Sequence, residues 1–152
     1  MTGSSNSAEQ PRGYVPALRL KALTGLYDPV VAMTTRERTF KRELLRELNP
    51  QPGDRILDLG CGTGTLALMI KRSQPQVEVD GLDADPVMLA RAQRKSSETG
   101  LPISFQTGMA QDLPYADGAF DAVVSSLFFH HLEREQKIAA FNEIHRVLAP
   151  GG

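Results

Sequence analysis

The chain has 152 residues, 41% of them hydrophobic and 23% charged, and a formal net charge of −1. That length allows one domain with a sizeable core, and the near-neutral charge gives no electrostatic case for nucleic acid or an anionic membrane as the main partner. One cysteine, Cys61, excludes an internal disulfide, and no apolar run is long enough to span a bilayer.

Met1–Gly13 is rich in Ser, Gly, Pro and Asn, has no apolar periodicity and reads as a disordered tail. It lacks the apolar core of a signal peptide, so the expected location is the cytoplasm. Residues 14–34 read as an N-terminal lid segment. Pro16 opens a short helix there with Leu18, Leu20, Leu23 and Leu26, interleaved with Arg19 and Lys21. The competing reading is a basic amphipathic segment touching a membrane surface. Residues 35–152 form the main domain. Thr34-x-x-Glu37 is a capping box, and the helix after it carries Phe40, Leu44, Leu45 and Leu48 on one face until Asn49-Pro50 stops it.

The next stretch, Arg55 to Thr65, organises the rest. Ile56, Leu57 and Leu59 are a short buried strand. Gly60, Gly62 and Gly64 let the backbone turn sharply and a ligand come close. A helix follows through Leu66, Leu68, Met69 and Ile70, with free backbone N–H groups at its start. A dinucleotide turn would read Gly-x-Gly-x-x-Gly, but the third glycine here comes one residue early. A glycine-rich turn without any ligand is the bland alternative. Asp58-Leu59-Gly60-x-Gly62-x-Gly64 closely resembles the first motif of the class I S-adenosylmethionine (SAM)-dependent methyltransferases. A carboxylate such as Asp58 suits a sulfonium cation and would repel a pyrophosphate. The resemblance implies cofactor contacts along Asp58, Gly60, Cys61, Gly62, Thr63 and Gly64. Upstream, Tyr27-Asp28 resembles a pair found in ubiquinone/menaquinone-type and phospholipid-type methyltransferases.

The second strand is predicted at Val77–Leu82, ending at Asp83. Asp85 and Pro86 open the next helix as N-cap and first residue, with Met88, Leu89 and Ala92 on one side and Gly100 at its end. An acidic residue there, about twenty residues past the glycine turn, is placed to accept from ribose hydroxyls; its bland reading is a capping carboxylate. Gly81 to Leu89 resembles the family's second motif, which brings Ala84 and Met88 to the cofactor beside Asp83. After a third strand at Ile103–Gln106, Gly108 to Tyr115 resembles the family's Gly-Asp-Ala-x-x-Leu-Pro-Phe segment, which folds against adenine. Met109 departs from that pattern, standing where an adenine-binding Asp or Asn is usual; a thioether is a weak acceptor. Ala110 and Gln111 keep the segment's backbone.

Phe120–Ser126 reads as a fourth strand buried on both faces, with Ser126 at the position where the family contacts the methionine half of SAM. His130 and His131 follow, near the carboxyl end of the sheet, and are the candidate general bases; packing or capping is the alternative for His131. No nearby Cys or His completes a metal set. A last helix, about Glu133 to Leu148, carries Ile138, Phe141, Ile144, Val147 and Leu148. Arg146 to Gly152 resembles the family's Arg-Val-Leu-x-Pro-Gly-Gly turn.

The expected fold is therefore α/β, a Rossmann-like methyltransferase sheet. Four parallel strands are visible in the order 3-2-1-4, with flanking helices and the family's C-terminal strands absent. That implies a truncated or fragmentary family member whose open fourth strand invites self-association. The expected activity is methyl transfer from SAM to a small-molecule or lipid acceptor, without nucleic acid or stable membrane insertion. A non-catalytic SAM-binding remnant and a nicotinamide-dependent oxidoreductase are the alternatives; the glycine spacing and Asp58 oppose the second.

Overall fold

The computed structural model describes residues 36–126, 128–129 and 132–152. The tail, the lid segment, Tyr27-Asp28, the Thr34 cap, His130 and His131 lie outside the described residues. Residues 40–152 cluster into one compact unit, and residues 1–39, of which only the helical stretch 36–39 is described, into another.

Helix α1 runs over residues 36–48. Then come β1 (Arg55–Leu59), α2 (Thr65–Ser73), β2 (Glu78–Asp83), α3 (Pro86–Thr99), β3 (Ser104–Thr107), β4 (Ala122–Val124) and α4 (Arg134–Val147). The sheet has the expected order β3-β2-β1-β4, and every pairing is parallel. Strands β2 and β3 each sit one residue later than the apolar pattern predicted. Strand β4 is shorter than expected, and its Ala122 and Val123 are half-buried while Val124 is buried, so it is not covered on both faces along its length.

Period-two alternation splits the core across the sheet. Ile56 packs with Leu66, Ala67, Ile70, Val79 and Val124 on the α2 side, where Leu44, Leu45 and Leu48 of α1 also pack. Leu57 and Leu59 face the other way, with Leu82, Leu113, Phe120, Ala140 and Val147. Asp58 shares the face of Ile56, which puts a carboxylate in the layer beneath α2.

Three apolar assignments need correction. Phe40 is exposed, so the apolar contact of α1 with the core begins at Leu44, one turn after the buried Lys41. On α4, Ile138 and Phe141 are exposed, and Ala140 with Val147 meets the core. Phe141 instead stacks on the Phe129 ring, with centroids 4.9 Å apart and planes 9° off parallel.

The α3 cap forms as the sequence implied. Asp85 accepts from the Val87 and Met88 N–H groups, Pro86 opens the helix, and Gly100 closes it in the left-handed region. Helix α4 starts with a capping box made by Glu133 and Gln136.

Candidate functional site

Three strands deliver their carboxyl ends to one place. The glycine turn leaves β1, Asp83 ends β2, and the 108–111 turn follows β3. Gly60, Gly62 and Gly64 all have positive φ, between 53° and 70°, a region that side chains disfavour. Gly60 is also short of space. A Cβ there would sit 2.5 Å from the Phe128 ring. The turn is tied to β2 by the Gly60 and Cys61 N–H groups, which donate to the Leu82 carbonyl at 2.8 and 3.1 Å.

Asp83 clamps the turn from the side. Its Oδ2 accepts from the Gly62 N–H at 2.7 Å and its Oδ1 from the Asp85 N–H at 2.9 Å. Each carboxylate oxygen has a second lone pair, so this clamp leaves acceptor capacity toward the cavity that Asp83 lines. On the far side of the turn, Lys95 Nζ donates to the Thr63 carbonyl at 3.1 Å and to Thr63 Oγ1 at 2.8 Å.

Asp58 is fully buried. Its Oδ2 accepts from the Ala67 N–H of α2 at 3.1 Å, while its Oδ1 has no hydrogen-bond partner. Burial pushes its carboxyl up to about 7, against the pull of the Ala67 N–H and of the buried Lys41 ammonium. Cys61 is 7% exposed, and burial together with Asp58 and Asp83 pushes its thiol upward. A thiol held protonated and covered is no nucleophile.

A cavity of about 130 Å³ opens between these elements, lined by Leu59, Gly60, Leu82, Asp83, Ala84, Gly108, Met109, Ala110, Gln111, Phe128 and Leu132. Apolar side chains and bare backbone make up most of the wall, with Asp83 and Gln111 as its polar groups. Gln111 Oε1 is buried without a partner, as is Ser125 Oγ just past β4.

Of the residues singled out in the sequence, Gly60, Asp83, Ala84, Met109, Ala110 and Gln111 meet at this cavity. Asp58, Cys61, Gly62, Thr63, Gly64, Met88 and Ser126 are not among its lining residues. Asp58 acts from beneath the turn, and Gly62 and Thr63 are held by Asp83 and Lys95. Met109 is 53% exposed, at the rim. Phe128 and Leu132 were missed as lining residues; in sequence they lie on either side of the two histidines that drew attention instead. Among the described residues no cluster of His, Cys, Asp or Glu is arranged to hold a metal. A larger groove, about 820 Å³, lies near the start of β2 and β3, and none of the candidate site residues lines it.

A parallel sheet with a glycine turn after β1, an acidic residue ending β2 and a cavity at the carboxyl ends defines an α/β protein of the adenosine-ligand type. The comparisons narrow this. The methyltransferase-domain family matches residues 56–152, and the chain belongs to it. It is 50% identical over 98 residues to a demethylmenaquinone methyltransferase of Thermus thermophilus, covering 64% of this chain and 44% of that one. Among solved structures it resembles the PH0226 protein of Pyrococcus horikoshii, with TM-score 0.71 and 27% identity over 79% of this chain and 55% of that one. It also resembles the [4+2]-cyclase SpnF, with TM-score 0.63 and 38% identity over 72% of this chain and 41% of that one. The chain spans about half the length of the curated relatives it matches.

Proposed function

We propose that the chain binds SAM at the carboxyl end of its sheet and serves transfer of the SAM methyl group to a small-molecule acceptor. The observation that carries this is the cavity between the glycine turn, Asp83 and the 108–111 wall. Its apolar faces suit a flat heterocycle, its backbone-rich wall suits edge hydrogen bonds, and Asp83 stands at the rim where ribose hydroxyls would donate. At about 130 Å³ it is smaller than the roughly 300 Å³ and above of whole-ligand pockets. It therefore takes the nucleoside end, and the amino-acid end lies over Gly60–Gly64.

Bound SAM supplies an electrophilic methyl group on a sulfonium. The protein's part is to align donor and acceptor and exclude water. Asp83 fixes the ribose and the glycine turn with one carboxylate. Leu59, Leu82, Ala110, Phe128 and Leu132 dry the ring site. Asp58 sits beneath the turn and ties it to α2 through the Ala67 N–H, with its other oxygen unpartnered. His130 and His131 are the residues proposed to take a proton from the acceptor. The resemblance to a demethylmenaquinone methyltransferase supports a quinone-type ring carbon as the acceptor atom.

The test is incubation of the chain with methyl-labelled SAM and a panel of demethylated quinols, phospholipid amines and small phenols. Label in a quinol product supports the reading, and label in another acceptor moves the substrate class. Binding without label anywhere favours the non-catalytic reading, for which the exposed thioether of Met109 speaks. Among the described residues no helix is long and apolar enough to cross a membrane.

A further inference from the structure

Leu113 follows the 108–111 wall by two residues, and one helix takes both of its backbone polar groups. Its N–H donates to Glu143 Oε2 at 2.8 Å, and its carbonyl accepts from Arg146 Nη2 at 3.0 Å. Arg146 Nη1 also donates to the Tyr115 carbonyl at 2.7 Å and to Asp117 Oδ1 at 2.9 Å. The two side chains lock each other through Nε to Oε1 at 2.8 Å and Nη2 to Oε2 at 2.7 Å. They stand one turn apart on α4, so they share a face.

This pair differs from the exposed ion pairs on the surface of the fold. Its side chains are 32% and 19% exposed. In the pairs Arg46–Glu43, Arg46–Glu47, Arg55–Glu78 and Arg94–Glu98 every side chain is at least 48% exposed, a setting in which ion pairs contribute little. A guanidinium that divides its donors among two carboxylates and two backbone carbonyls fixes a position in a way an ammonium cannot.

The held segment is one wall of the cavity. At its other end, the Gly108 N–H donates to the Asp83 carbonyl at 3.1 Å; between the anchors, the Asp112 N–H closes the turn onto the Met109 carbonyl at 3.1 Å. The gap between this wall and Leu82–Ala84 is thus set by β2 at one end and by α4 at the other. Met109, exposed and a weak acceptor, contributes no polar anchor of its own. Recognition of the ring edge then falls to backbone placement along this wall and to the unpartnered Gln111 Oε1.

We propose that Glu143 and Arg146 are positioning residues for the nucleoside end of the cofactor: from α4 they hold the 108–111 wall at the spacing a flat ring requires, without touching the ligand. The inference rests on the SAM reading. It assigns α4 a part in affinity as well as in the core.

The test compares the unmodified chain with Arg146→Lys and Glu143→Gln by titration with S-adenosylhomocysteine and with 5′-methylthioadenosine, which lacks the amino-acid end. Both are run at a temperature where circular dichroism shows each variant folded. The clamp predicts about tenfold weaker binding in R146K, the loss of roughly one charge-assisted hydrogen bond, by the same factor for both ligands. A smaller loss of the same kind is expected in E143Q. Wild-type affinity in folded R146K overturns the proposal. So does a loss confined to S-adenosylhomocysteine, since that would place the effect at the amino-acid end. An unmodified chain that binds neither ligand fails the cofactor reading itself, and the inference with it. If a variant does not fold, amide hydrogen exchange on the unmodified chain decides. Slow exchange at Leu113, with protection of Gln111–Leu113 rising on ligand addition, supports the clamp; fast exchange at Leu113 overturns it.

Discussion

Replacing Asp83 separates its two tasks. In the free protein both carboxylate oxygens already accept backbone N–H groups, Gly62 at 2.7 Å and Asp85 at 2.9 Å. Asp83→Ala strips both. The part-buried Gly62 donor then lacks a partner, at a cost of roughly 1–3 kcal/mol, while the exposed Asp85 donor turns to water. For a domain of this size that lowers Tm by several degrees. Asp83→Asn keeps one oxygen for Gly62 and places an amide donor where the second oxygen was. It costs less stability but removes the charged acceptor offered to a ribose hydroxyl, worth about 1.5–3 kcal/mol, or about 10- to 150-fold in affinity. Titration calorimetry with S-adenosylhomocysteine, paired with thermal melts, measures both. D83N is expected to lose at least tenfold in affinity for a small fall in Tm, and D83A to lose binding and several degrees. If folded D83N binds as the unmodified chain does, Asp83 is only a clamp for the turn, and the ribose assignment is wrong.

Gly60→Ala forces a Cβ to 2.5 Å from the Phe128 ring at a φ of 70°; melts should show a loss of roughly 2–3 kcal/mol from backbone strain and overpacking together, and an unchanged Tm would refute the close approach. Asp58 has a folded pKa raised from 3.8 to about 7. Its contribution is full below the unfolded value and falls as pH rises toward 7. Asp58→Asn, a neutral mimic of the protonated form, should therefore gain on the unmodified chain between pH 4 and pH 7, on the order of 2–4 kcal/mol by denaturant titration. A pH-independent difference would show that Asp58 stays ionised in the fold. Glu143 shifts the opposite way, held down to about 2 chiefly by Arg146. Its contribution is present above the usual carboxylate range and is lost only as pH falls from about 4.5 toward 2. Acid melts of Glu143→Gln should accordingly differ from those of the unmodified chain at pH 6 by on the order of 1–3 kcal/mol and converge near pH 2.

The order of the strands was legible because each carries its own local mark. Ile56-Leu57-x-Leu59 before three glycines can hardly be anything but a strand entering a turn, and Asp85-Pro86 announces a helix start. The motifs also placed Gly60, Asp83 and Met109–Gln111 together at one cavity, although they come from three separate loops. What the sequence hid was direction. Helix α4 was read with one apolar stripe through Ile138 and Phe141, and periodicity did not show that the sheet-facing side is rotated toward Ala140 and Val147. Ala140, small enough for close approach, takes the core, and the larger Phe141 is left to stack on Phe129. Asp58 was read as a carboxylate facing a cation. Its strand parity puts it beneath α2, where the Ala67 N–H takes one oxygen. Asp83 was read as a ribose ligand or a cap; the structure shows it also bonding the glycine turn, a long-range contact that no local pattern encodes. Glu143 was not singled out in the sequence and Arg146 only as the start of a turn motif; their shared hold on the Leu113 backbone is a long-range contact that no local pattern encodes.

The central claim is that the cavity at the carboxyl end of the sheet is a SAM site. Calorimetric titration of the purified, folded chain with S-adenosylhomocysteine, with NADH as the control, tests it most directly. The account predicts micromolar binding of S-adenosylhomocysteine and none of NADH. Binding of NADH instead, or of neither ligand by a chain that melts cooperatively, would contradict it.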